Sequence, residues 1–260
     1  SYHGYAIQNY MDVDKRWGIK EDLEELVDKA HNLDIRVFLD IVLHHSGDNW
    51  SYPFDYDYFY AEGQRFPLGD WREKDRPIPV ELRNPEMYNR KGQIGNFDAY
   101  PETQEGDFLT LKTFRNDGSP ASEDLRDILA KIHCYWIRET DVDGFRLDAV
   151  KHMKGSDISR FCSTIREYAY SLGKRNFFLF GEIIGNDEMG NPYIGPKILP
   201  EDRNIYYGLD SILDHPLHSV LAEVIKGNSS PNRLIQRYSD LQKNALSRGE
   251  YGEFLVTYID

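Results

Sequence analysis

The chain of 260 residues carries a formal net charge of -13, with 40% hydrophobic and 13% aromatic residues. That charge excludes nucleic acid or an anionic membrane surface as a natural partner, and the length and apolar content fit one globular domain with room for an insertion. Two cysteines, Cys134 and Cys162, make neither a disulfide framework nor a zinc spacing and read as free buried thiols. No run is long enough to span a membrane and no signal peptide is visible, although a chain starting at Ser1 gives the second absence little weight. The expectation is an acidic, soluble protein of unknown compartment.

Ser1 to Gly18 reads as a loop rich in aromatics: Tyr2, His3, Tyr5, Tyr10 and Trp17. Glu21 to Leu33 predicts an amphipathic helix, with Leu23, Leu26, Val27 and Ala30 at helical spacing and acids in the first turn. Ile35 to Leu43 is an apolar, β-branched run and predicts a buried parallel strand. It ends in His44-His45, before the turn-forming Ser46-Gly47-Asp48-Asn49. From Trp50 to about Pro120 no alternation of strand and helix holds. So long a stretch inside a compact domain reads as an inserted subdomain or a functional lid. The aromatics crowded between Tyr52 and Tyr60 are expected to build its small core.

Ser122 to Thr140 predicts the next helix, with Leu125, Ile128, Leu129, Ile132 and Trp136 on its buried face. A strand containing Arg146 follows, then a helix over Ile158 to Leu172 and a strand ending at Glu182. Ile183 to Asn204, broken by Gly and Pro, reads as a long loop. Leu209 to Leu213 and Phe254 to Ile259 predict strands, and Pro216 to Lys226 and Pro231 to Leu246 predict helices. Five parallel strands alternating with helices make the chain α/β.

Two stretches carry the chemistry. In Gly144-Phe145-Arg146-Leu147-Asp148-Ala149-Val150-Lys151-His152, Arg146 and Asp148 stand two apart, so on a strand they point the same way. Burying that face is unfavourable unless the charges pair or serve a ligand. An arginine beside an aspartate holds the carboxylate ionised, as a carboxylate nucleophile requires. A buried pair that only braces the fold is the alternative. In Phe177-Phe178-Leu179-Phe180-Gly181-Glu182-Ile183-Ile184, a glutamate closes an apolar strand. Such surroundings raise its pKa and suit a general acid. A nucleophile and an acid on successive strand ends are the two parts of a retaining glycosidase, which needs them about 5–5.5 Å apart.

Gly144-Phe145-Arg146-Leu147-Asp148-Ala149 and Phe180-Gly181-Glu182 resemble two sequence blocks of the α-amylase family of glycoside hydrolases. Asp40-Ile41-Val42-Leu43-His44-His45 and His3-Gly4-Tyr5 agree, in the expected order. The resemblance implies part of a TIM (β/α)8 barrel, about strands 3 to 7, with an inserted subdomain after strand 3. The expected division is 1–46 barrel, 47–120 insertion and 121–260 barrel.

The resemblance also implies retaining cleavage of α-glucosidic bonds in an α-glucan or α-glucoside. Asp148 would be the nucleophile and Glu182 the acid and base. Arg146 would orient Asp148, and Asp40 would brace the strand ends. Tyr5 would stack on the sugar at the cleavage subsite, and His3 and His45 would line that subsite. Lys151 and His152 would contact the sugar on the leaving-group side.

No organic cofactor is implied. A structural calcium is, but His44 stands where the family has an Asn that helps bind it, and imidazole is a poor calcium ligand. The family's third carboxylate lies in an Asn-His-Asp after a strand like Val256-Thr257-Tyr258-Ile259-Asp260, where Asp260 matches only the variable acid preceding it. These residues alone are therefore expected to turn over little substrate. A transglucosidase or glucoside isomerase of the same family, and a catalytically silent carbohydrate-binding barrel, are the other readings.

Overall fold

The computed structural model describes residues 3–54, 57–199, 203–206, 208–247 and 255–258. Its elements are α1 (Lys20–His31), β1 (Phe38–Ile41), β2 (His45–Ser46), α2 (Glu102–Glu105), β3 (Lys112–Thr113), α3 (Pro120–Thr140), β4 (Gly144–Leu147) and α4 (Gly155–Ser171). Then follow β5 (Phe178–Gly181), α5 (Asp187–Gly190), β6 (Pro196–Leu199), β7 (Arg203–Tyr206), β8 (Ser211–Ile212), α6 (His215–Ile225) and α7 (Asn232–Ser247).

Sequence signals explain the helix ends. At α3, Pro120 pre-sets the first turn, Ser119 Oγ accepts from the Ser122 amide, and Asp141 closes the helix in the left-handed region. At α6, Asp214 accepts from the Leu217 amide at 2.9 Å, ahead of Pro216.

The central sheet has the order β1-β4-β5-β8 with all pairs parallel, and helices return the chain between them. It is an arc of a (β/α)8 barrel, as the alternating pattern predicts. The register sets Asp40 beside Arg146 and Arg146 beside Phe180. Phe145, Leu147 and Leu179 are fully buried, under Leu125 and Ile137 of α3 and Ile158 and Ile165 of α4. Burying each such side chain contributes about 1.5–3 kcal/mol. Gly144 is required by contact: a Cβ there would lie 2.0 Å from the Phe178 carbonyl oxygen.

Two expectations need correction, and a third falls partly outside the described residues. The strand read over Ile35 to Leu43 is shorter, and among the described residues β4 alone flanks it. Ile35 is 54% exposed and Phe38 36%, because β4 is β1's one neighbour among the described residues. The apolar run reports hydrophobicity but not how many strands flank it. The segment read as a long loop over Ile183 to Asn204 holds α5, a 3-10 turn over Asn191–Tyr193 and the antiparallel hairpin β6–β7. Of the strand read over Phe254 to Ile259, both end residues lie outside the described residues; within 255–258, Val256 bridges Leu213 in parallel.

Between β2 and α3 the chain is irregular, tied by the antiparallel pair β2–β3. Its aromatics pack on one another. Tyr52 stacks on Tyr58 with ring centroids 4.4 Å apart, and Trp50 and Tyr88, both fully buried, meet edge-on at 5.9 Å. Tyr10 is buried and donates to the His45 carbonyl, whereas Trp17 stands in solvent. Cys134 and Cys162 are both free, and Cys162 is buried.

Candidate active site

Asp148 and Glu182 each stand one residue past the end of a strand, on neighbouring parallel strands. The ladder continues through them: the Asp148 amide donates to the Ile41 carbonyl and the Glu182 amide to the Leu147 carbonyl, both at 2.9 Å. Their backbones are therefore fixed by the sheet, at the carboxyl end where barrel proteins gather their sites.

Arg146 joins them. Nη1 donates to Asp148 Oδ1 at 2.7 Å and to Asp40 Oδ1 at 2.9 Å. Nη2 lies 2.8 Å from Glu182 Oε1. One guanidinium thus holds three carboxylates, with Asp148 and Glu182 on its two terminal nitrogens. Glu182 was expected in an apolar collar; the structure puts Arg146 against it instead.

Burial pushes the Asp148 carboxyl up to about 6, and the charges of Glu182 and Asp40 add to this while Arg146 opposes it. Arg146 lowers the value, as the sequence reading expects of an arginine beside an aspartate, but burial is the larger effect. Just beyond, Ala149 takes a left-handed backbone with φ 52°, and its amide donates to Glu182 Oε2 at 3.4 Å.

A cavity of about 670 Å³ opens over these groups. It is lined by Asp148 and Glu182, and by His3, Tyr5, His45, Lys151 and His152. The proposed catalytic and sugar-contacting residues therefore meet at one cavity, while Arg146, Asp40 and His44 are not among its lining residues. The Tyr5 hydroxyl donates to Asp40 Oδ2 at 2.9 Å, its ring lies 5.8 Å from the Arg146 guanidinium, and His3 stacks on it at 5.7 Å. Burial and Asp40 push the Tyr5 phenol up to about 12, so it stays neutral.

Burial lowers His45 to about 4, leaving a neutral imidazole. His152 is buried, and its Nδ1 donates to the Thr103 carbonyl at 2.7 Å. A carbonyl can only accept, so Nδ1 carries the proton. Lys151 is paired with Asp98.

The sequence reading missed the residues that complete the cavity: Phe97, Asp98, Phe108 and Leu111 from the irregular segment, and Ile184 and Met189 past Glu182. Asp98 lies 53 positions from Lys151 in the chain, and no local pattern announces the pair.

Calcium does not fit at His44. Its ring is buried between His45, Phe108 and His152, and its Nε2 has no hydrogen-bond partner. Calcium takes six to eight oxygen donors, and among the described residues no group of three or more His, Cys, Asp or Glu side chains could hold a metal ion. The buried cation nearby is Lys112, paired with Asp48 at 3.2 Å and lying over Trp50 and Tyr52.

The sequence profile described as alpha amylase, catalytic domain, matches residues 1–210. The chain belongs to the α-amylase family. Among α-amylase relatives, an alpha-amylase of Streptomyces lividans is 28% identical over 92% of this chain and 28% of its own length. A cyclomaltodextrin glucanotransferase of Klebsiella oxytoca is 29% identical over 71% of this chain and 26% of its own. The alpha-amylase of Geobacillus thermoleovorans, solved with acarbose, superposes with a TM-score of 0.60 at 25% identity, covering 85% of this chain and 40% of that one. The chain thus spans about a quarter of the length of these curated α-amylase relatives.

Proposed function

We propose that the full-length protein cleaves α-glucosidic bonds of α-glucans or oligosaccharides with retention of configuration. The observation that carries this is the Arg146 fork, which holds Asp148 and Glu182 side by side at the floor of one cavity. Two carboxylates set across the width of one guanidinium suit a retaining pair, about 5–5.5 Å apart. Asp148 attacks the anomeric carbon and forms a glycosyl-enzyme. Glu182 gives its proton to the leaving oxygen and then takes one from water or an acceptor sugar.

Tyr5 offers its ring, and neutral His45 an uncharged donor, to the sugar at the cleavage point. Lys151 and His152 serve the sugar on the leaving side. Residues 47–120 are proposed as an inserted subdomain that forms one wall, since Phe97, Asp98, Phe108 and Leu111 line the cavity. Transfer to an acceptor sugar is the second reading, favoured by the apolar Phe97, Phe108, Ile184 and Met189 around the same cavity. The glucanotransferase among the relatives shows the family to include such names.

The test is covalent capture. The full-length protein is incubated with 2-deoxy-2-fluoro-α-glucosyl fluoride, and the labelled peptide is mapped by mass spectrometry. A label on Asp148 that vanishes in Asp148→Asn is the expected result. Sugar binding without a label would mean a silent binding barrel, and a label elsewhere would reassign the nucleophile.

A further inference from the structure

Outside the three carboxylates held by Arg146, one buried charge cluster among the described residues is Arg237 of α7 between two aspartates. Nη1 and Nη2 of Arg237 meet Asp187 Oδ2 and Oδ1 at 2.5 and 2.8 Å, a two-pronged contact. Nη2 also donates to Asp214 Oδ1 at 2.6 Å. The arginine side chain is 9% exposed and the Asp214 side chain 2%. A pair this well shielded from water fixes geometry in a way that a surface pair does not.

The two aspartates belong to different parts of the site's frame. Asp214 is rigidly placed: it caps α6, its amide donates to the Val256 carbonyl at 2.9 Å, and the amide of Leu213 before it donates to the Gly181 carbonyl. Asp187 opens α5, in the segment that leads away from Glu182. Ile184, Gly185 and Met189 of that segment line the cavity beside Asp148 and Glu182. The segment has few anchors of its own. Gly190 packs on Ile212, where a Cβ would come within 2.2 Å of Cδ1, and Gly185 packs on the Met189 sulfur.

We propose that Arg237 is a positioning residue: by tying Asp187 to the fixed Asp214, it sets where the wall of Ile184, Gly185 and Met189 stands against the substrate. Arg237 does not line the cavity and touches no reacting group, so it acts through that wall. The consequence is binding specificity on the Glu182 side, with the chemical step left to Asp148, Glu182 and Arg146. This rests on the proposed reading of the cavity as the glucan site.

The experiment compares Arg237→Met and Asp187→Asn in the full-length protein, the second keeping the Arg237–Asp214 contact. Two substrates are used: a maltooligosaccharide and α-glucosyl fluoride, whose leaving group is too small to reach the wall. The expected result is KM for the oligosaccharide raised roughly tenfold, with kcat and the fluoride parameters within about twofold. An oligosaccharide KM unchanged in both variants, measured at equal concentrations of folded protein, would overturn the proposal.

Amide hydrogen exchange is read in parallel. Residues 184–190 should exchange faster in both variants while α3 and α4 do not; unchanged exchange there would overturn the clamp itself. If neither substrate is bound or cleaved by the parent, the glucan reading fails, and the exchange data still decide the clamp.

Discussion

At Asp148, burial and charge pull in opposite directions. The carboxyl titrates at about 6 in the folded protein because burial penalises its ionised form and Glu182 and Asp40 repel it, against the pull of Arg146. As the proposed nucleophile, Asp148 must be ionised, so kcat/KM should fall below about pH 6; an acid limb below pH 4.5 in a pH–rate profile would refute that assignment. The same shift has a stability consequence. Unfolded, an aspartate titrates near about 3.9. The folded state holds its proton more tightly, so its stability contribution is full below about pH 4 and is lost as pH rises through 6. Asp148→Asn should therefore melt higher than the parent at pH 8, and the gap should close at pH 4.

Among the described residues, Arg146 is the one cation paired with all three carboxylates. Arg146→Met should move the acid limb upward and lower kcat by about a hundredfold or more. Arg146→Lys, which keeps the charge and loses the fork, should recover little of it. Asp148, Glu182 and Arg146 were legible because their spacing along strands is local information. Asp98, Phe108 and Arg237 were not, because their contacts join residues far apart in the chain.

The elements place these groups through two backbone constraints. Ala149 holds φ 52° directly after Asp148, a region that suits glycine and tolerates alanine but strains a β-branched residue. Ala149→Gly should leave the melting temperature within a few degrees. Ala149→Val should destabilise the protein by roughly 2–3 kcal/mol and, by shifting the amide that faces Glu182, slow turnover. A valine variant with parental stability and rate would show that the turn is not constrained. The helices were legible from apolar periodicity and the inner strands from their apolar runs. The hairpin β6–β7 was hidden behind glycine and proline that read as loop.

On the scale of the whole molecule, the question is what holds the irregular segment against the sheet, since that segment supplies a wall of the cavity. The alternation of strands and helices made the barrel arc legible, and the loss of alternation after Trp50 marked where it is interrupted. What the sequence did not reveal is that the segment carries its own buried charges. Asp107 is fully buried and accepts from Tyr52 at 2.7 Å and from the Thr113 amide at 2.8 Å; burial pushes it up to about 6 although Lys112 opposes this. Lys112, 5% exposed, pairs with Asp48 and lies over two aromatic rings. A protein-borne ammonium beside a poor calcium ligand at His44 argues that the segment needs no metal to stay folded. Chelation with EDTA should then leave the melting temperature unchanged, and added calcium should not raise it. Lys112→Met leaves the buried Asp107 without its cation, while Asp48 keeps Arg72 at 3.0 Å, and should destabilise by about 3 kcal/mol, or roughly 6–12 °C for a chain of this size. A melting temperature that falls on chelation and is restored by calcium would show that a metal, not Lys112, carries the positive charge there.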